Sequence, residues 1–156
     1  MSEFVRICSE GELPPTGALQ EFTTYLTMTQ QLLHNDPVNN RALYDISNAF
    51  QKIGDAQLAN GNLASAFEAY GQSQSLAIQL AGKNCQNGAW QKGLAMTYQR
   101  MGTVLKKQGN TRGALEQFKS CAAITVNPAV WSPAGLSPQD VNQDCAREVA
   151  QLGAAR

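Results

Sequence analysis

The chain repeats itself with a period of 48 residues. A shift by 48 positions places the pair Ile53-Gly54 on Met101-Gly102, and the residues on either side fall into register. The further matches are Asn39 on Asn87, Phe50 on Tyr98, Gln51 on Gln99, Gly61-Asn62 on Gly109-Asn110, Ala66 on Ala114, and Tyr70 on Phe118. A period of about 20 to 50 residues is typical of solenoids, in which each unit buries its apolar face by stacking on its neighbours. The repeat therefore predicts a stacked fold and favours partner binding as the function.

Each repeat carries the pattern of two helices joined by a tight turn. The apolar positions that lead up to Leu105 advance by three or four residues, which is one face of a helix, and no segment alternates like a half-buried strand. Gly109 is expected to end that helix in a left-handed conformation, and Asn110 to cap the next one. Gly61 and Asn62 repeat this punctuation. The pattern predicts antiparallel pairs of helices over 39–60 with 63–81 and over 89–108 with 111–125.

The period also divides the chain. Its 156 residues suffice for one domain with its own core, and residues 1–15 are interpreted as a loose leader. The helical repeat domain is predicted over 16–156, with a half repeat at 16–35, full repeats at 37–83 and 85–127, and an irregular last helix at 137–153. The predicted fold is an all-α solenoid of antiparallel helix pairs, with about six helices.

Two glycines are predicted to set the distance between paired helices. Gly54 and Gly102 lie on the inner face of the first helix of each repeat, where a missing side chain lets the partner helix approach closely. Ala66 and Ala114 are expected to supply the matching small surface.

Charge and hydropathy exclude several function classes. The formal net charge is zero, which argues against a whole-chain electrostatic contact with nucleic acid. The charge is nevertheless uneven, about −5 over residues 1–78 and about +5 over 79–156. This asymmetry indicates either ordinary solvated faces or an acidic ligand for the basic half. No apolar run approaches the ~18 residues of a membrane span, and no signal-peptide core is present, so the prediction is a cytoplasmic protein without a membrane partner.

Catalytic and metal chemistry have little support. The cysteines Cys8, Cys85, Cys121 and Cys145 lie far apart, and His34 is the only histidine, which excludes the common zinc spacings. The prediction is free, reduced cysteines, with Cys145 in the core. Nucleotide-binding glycine patterns and nucleophile motifs are absent. We therefore predict no enzyme activity, no cofactor and no metal.

The repeat resembles the tetratricopeptide repeat family. The resemblance rests on the segments Phe50-Gln-Lys-Ile53-Gly54 and Tyr98-Gln-Arg-Met101-Gly102, followed at family spacing by the small and aromatic positions of each second helix. The short form of this repeat has about 34 residues, and the present one is similar to a longer bacterial variety. Gln57 departs from the pattern, because a large apolar residue is usual there.

The resemblance implies that the first helix of each repeat lines a groove that binds a peptide or protein segment. The residues that it implies as ligand-binding are Asn48, Gln51, Lys52, Asp55, Met96, Gln99, Arg100, Thr103, Lys106 and Lys107. Their amides suit peptide hydrogen bonding, and their bases suit an acidic or carboxylate-bearing ligand. The alternatives are a regulatory or sensing segment of a larger bacterial protein and a small secretion-type chaperone or adaptor. Self-association through exposed solenoid ends is a further prediction.

Overall fold

The computed structural model describes residues 15–124 and 138–154, and within these ranges every regular element is a helix. The helices are α1 (Pro15–Asn35), α2 (Asn40–Ala59), α3 (Leu63–Lys83), α4 (Gly88–Lys107), α5 (Thr111–Ala123) and α6 (Pro138–Ala154). Their bounds fall within two residues of those predicted. Residues 1–14 of the predicted leader, including Cys8, lie outside the described residues.

The helices stack in the order of the sequence. Each one packs against the next along the chain, and α2 also contacts α4, as α4 contacts α6. The prediction of an all-α helical repeat fold is therefore confirmed. We call α2, α4 and α6 the first-position helices, and α1, α3 and α5 the second-position helices. None of the described helices combines the length and the apolar character needed to cross a bilayer.

The turns follow the predicted punctuation with one exception. Gly61 and Gly109 have φ of 78° and 81°, a left-handed conformation that glycine adopts without strain. The side chain of Asn110 caps α5 by accepting from the Gly113 amide at 2.9 Å. Asn62 was expected to cap α3 in the same way, but that prediction is wrong. Its side chain makes no capping bond, and its side-chain nitrogen Nδ2 instead donates to Gln57 Oε1 at 2.9 Å. This bond also gives the polar Gln57 a partner at the packing seam.

The two glycines make the predicted close contacts. A Cβ atom built on Gly102 would lie 2.8 Å from Cε1 and Cζ of Phe118, and one built on Gly54 would lie 2.9 Å from Cζ of Tyr70. Both rings are buried. The space that each glycine leaves open is thus filled by the aromatic ring of the second-position helix, which brings the paired helices together.

The cysteines correct one prediction. Cys121 on α5 and Cys145 on α6 form a disulfide, so the prediction that these cysteines are free and reduced is wrong. Cys145 does lie in the core, as predicted, and among the described residues only Cys85 is free, on the surface. The period explains why both cysteines are buried, because a shift of 48 places Cys121 on Ser73 and Cys145 on Thr97. Those two residues are also completely buried, so the repeat brings both cysteines into the core where successive helices pack.

Candidate binding surface

A bidentate ion pair joins the first-position helices of the two full repeats. Arg100 on α4 donates from Nε to Oδ1 of Asp55 on α2 at 2.8 Å, and from Nη2 to Oδ2 at 3.2 Å. Such a fork fixes both the distance and the orientation of the two side chains. The sequence prediction brings these two residues to one surface, and the structure shows that they contact each other there. We call this surface of α2 and α4, with the predicted ligand-binding residues, the groove face.

The ion pair is anchored to the core by a tyrosine. The hydroxyl of Tyr70 on α3 donates to the same oxygen of Asp55, Oδ1, at 2.6 Å. Burial raises the pKa of Tyr70, and the hydrogen bond to Asp55 and the charge of that carboxylate raise it further, against an opposing effect of Arg100. The phenol is therefore held as a neutral donor, and Asp55 accepts bonds from both α3 and α4.

Several other predicted groove residues are also engaged within the chain. Gln51 is buried, and its Nε2 donates to the carbonyl of Gly93 on α4 at 3.3 Å. The hydroxyl of Thr103 donates to the carbonyl of Gln99 in its own helix at 2.9 Å. Lys106 reaches Glu148 on α6 at 2.8 Å. The contacts of Gln51 and Lys106 join α4 to α2 and to α6, respectively.

The remaining predicted residues are open to solvent in part or in full. Asn48, Met96 and Gln99 are half-buried, whereas Lys52 and Lys107 are exposed. Neither exposed lysine forms an ion pair with a carboxylate of the described residues. The groove face therefore offers two cations that pair with no carboxylate of the described residues, besides an arginine that already holds a carboxylate.

Sequence reasoning placed Asp55 and Arg100 on one face but missed that they pair with each other. The prediction of an acidic ligand was drawn from the bases of α4, Arg100, Lys106 and Lys107, which face no acid of their own helix. Asp55 enters from α2, and its equivalent one period later is Thr103, so the repeat itself gives no sign of the pairing. The signal that could have revealed it is the short distance between neighbouring first-position helices in a stack of repeats.

A small apolar cavity lies at the α1 end of the groove face. Its volume is about 120 Å³, and it is lined by Phe22 and Tyr25 of α1 and by Asn48, Ala49 and Lys52 of α2. Two of the predicted groove residues therefore border a hydrophobic recess.

No cluster of three or more His, Cys, Asp or Glu side chains that could hold a metal ion occurs in residues 15–124 and 138–154. Comparison with protein-family models gives no match, and neither does comparison with curated proteins.

Proposed function

We propose that the protein is a tetratricopeptide-like interaction module that binds a segment of another protein on its groove face. The observation that carries the proposal is the pair of exposed lysines, Lys52 and Lys107, which have no described carboxylate partner on a face formed by successive repeats. The half-buried amides of Asn48 and Gln99 add donors and acceptors of the kind that pair with a peptide backbone.

The ligand is an acidic or carboxylate-bearing segment. Asp55 already occupies the Nε–Nη2 edge of the Arg100 guanidinium with two hydrogen bonds, so a ligand carboxylate at that edge would have to displace an intramolecular one. Lys107 needs no such exchange, because its ammonium group is exposed. A ligand that runs along the groove face therefore places its acid at Lys107 and leaves the Asp55–Arg100 pair intact.

A cytoplasmic location stays a prediction, and the Cys121–Cys145 disulfide weighs against it. Disulfides persist mainly in oxidising compartments and are rare where thiol reductants are abundant. A protein partner remains compatible with either location.

The proposal is tested with a displayed library of short random peptides, selected on the full chain and then remeasured as synthetic peptides. We expect enrichment of acidic sequences, and binding that weakens with salt because exposed charges are screened over roughly 8–10 Å near physiological ionic strength. Lys107→Glu is expected to reduce the affinity of those peptides about tenfold.

The matched control is Arg112→Glu, which makes the same change in net charge at an exposed position of α5, outside the groove face. It should leave the affinity within about twofold of the parent, apart from a small long-range term. Peptides that bind the Lys107→Glu variant as well as the parent would remove the groove face as their site. A library with no enriched acidic sequence would refute the ligand class.

A further inference from the structure

The helix α1 exposes a stripe of large apolar side chains. Tyr25, Met28 and Leu32 are 45%, 61% and 59% exposed. They are spaced three and four residues apart and so share one side of the helix. Ala18 and Thr29, which border this stripe on the helix surface, are buried, and α1 packs on α2. The exposed stripe therefore extends the apolar surface of α1 beyond the part that is buried in the molecule.

The internal repeat shows what this face is built to contact. One period later, Phe22, Tyr25 and Leu32 become Tyr70, Ser73 and Leu80 of α3. Those three residues are 0%, 0% and 1% exposed. Tyr70 packs against Gly54 of α2, and Ser73 forms hydrogen bonds with Ser47 of α2. The same positions of α1 therefore form a surface that matches one which, in α3, packs against a first-position helix.

The charged groups repeat as well. Lys52 on α2 is the equivalent of Arg100 on α4, and Arg100 binds the carboxylate of Asp55 on the preceding first-position helix. Lys52 is exposed and borders the apolar cavity that Phe22 and Tyr25 line. A helix seated over α1 would thus meet an aromatic ring and a cation in the arrangement that α2 meets at Tyr70 and Arg100.

The opposite end of the stack has a different character. The exposed side chains of α6 include Gln143, Ala146, Arg147 and Ala150, which are polar or small. An outer face of this composition is compatible with solvent. The described side chains at this end also offer little apolar area for a second copy to place on Tyr25, Met28 and Leu32, which argues against head-to-tail association through them.

We propose that the face formed by α1 and α2 binds an amphipathic helix of a partner protein, which takes the place of a first-position helix. The helix presents a glycine or alanine to Phe22, as Gly54 does to Tyr70, and an aspartate or glutamate to Lys52, as Asp55 does to Arg100. The peptide that runs along the groove face is a separate ligand, although both sites include Lys52. Lys107 belongs to the groove face alone and Leu32 to the α1 face alone, so variants at these two residues distinguish failure of one proposal from failure of the other.

The chain itself supplies the probe. A synthetic peptide with the sequence of residues 40–59 carries the α2 surface that fits Tyr70 and Arg100 in the intact molecule. Binding of this labelled peptide to the full chain is measured by fluorescence anisotropy. We expect saturable binding that falls at least tenfold in the variant Leu32→Lys. The control variant Ile78→Lys adds the same charge at an exposed apolar residue of α3 and should leave binding unchanged.

Changes in the probe test the two recognition features. Within the peptide, Gly54→Leu is expected to abolish binding by filling the space for the Phe22 ring, and Asp55→Asn to weaken it several-fold. Circular dichroism of each protein variant confirms that the helices are retained. Lys107→Glu should leave this peptide's affinity unchanged, which separates the two proposed sites.

Three outcomes would overturn the assignment. The first is that the peptide fails to bind the folded chain at millimolar concentration. The second is that it binds Leu32→Lys as well as the parent, which would place its site elsewhere on the molecule. The third is a concentration-dependent dimer in sedimentation that Leu32→Lys dissociates. In that case the face is covered by a second copy and not by a partner helix.

Discussion

Adding one methyl group at Gly102 should destabilise the protein, although alanine is the better helix former. Gly102 is buried in α4, and a Cβ atom there would lie 2.8 Å from two ring carbons of Phe118. Ordinary carbon–carbon contacts lie at about 3.5–4.0 Å, so the ring or the helix has to move by roughly 1 Å. Phe118 is 1% exposed and cannot swing out to solvent.

The net free energy follows from two opposing terms. Overpacking of a dense core costs about 1–3 kcal/mol. Replacing glycine by alanine within a helix returns up to about 1 kcal/mol. Taken together, the two terms leave a loss of about 0–2 kcal/mol in the free energy of unfolding for Gly102→Ala. For a chain of this length, the midpoint of thermal unfolding should fall by up to about 8 °C.

Gly71 provides the matched control. It lies inside α3, and a Cβ atom there would have no other heavy atom within 4 Å. Gly71→Ala should raise the free energy of unfolding by about 0.5–1 kcal/mol, because only the helix propensity changes. Urea unfolding followed by circular dichroism measures both variants. If Gly102→Ala is as stable as Gly71→Ala, the helix pair tolerates a larger separation than the structure shows, and the close-approach argument is refuted.

Two other properties of the chain can be measured in the same assay. Because the pKa of Tyr70 is raised, its contribution to stability is complete below the unfolded value of about 10. This contribution should decline as the pH rises above that value, because the unfolded chain loses the phenolic proton first. The variant Tyr70→Phe, which also removes the bond to Asp55, should flatten the decline. An unchanged slope of stability against pH in this variant would contradict the assignment. Reduction of the Cys121–Cys145 disulfide should lower the free energy of unfolding by roughly 2–4 kcal/mol. The loss should be equal in the parent and in the control variant Cys85→Ser. A thermal midpoint that does not change on addition of reductant would show that the bond does not form.

The fold was predictable because the sequence states the same arrangement twice. Gly61 and Gly109 mark the turns, and helix periodicity fixes the elements between them, so helix bounds followed to within two residues. The contacts of Gly54 and Gly102 were predictable for the same reason, since a glycine in a repeated helix face has few explanations other than close packing. Local pattern and tertiary packing agree at these positions.

The contacts between neighbouring repeats were harder to predict. A residue pattern within one helix shows which face a side chain occupies, but not which side chain of the next first-position helix stands opposite. The partners of Gln51 and Arg100 depend on that alignment, and so does the approach of Cys121 to Cys145. The 48-residue period does transfer burial, however, because Ser73 and Thr97, the equivalents of the two cysteines, are buried as well.

The Asp55–Arg100 pair, shifted by one period, indicates what the α1 face would bind. Within the stack, an arginine of one first-position helix binds a carboxylate of the helix before it. Lys52 stands at the same position of the first described repeat, where the helix before it would bind, and its ammonium group is exposed beside an apolar cavity. A cation on an exposed helix contributes little to folding, since surface ion pairs are worth about 0–1 kcal/mol. At the edge of an apolar face it instead restricts which helices bind, because a partner that lacks a carboxylate there leaves the ammonium group desolvated without compensation. The contact that joins the repeats to one another thus also defines the partner that the α1 face would select.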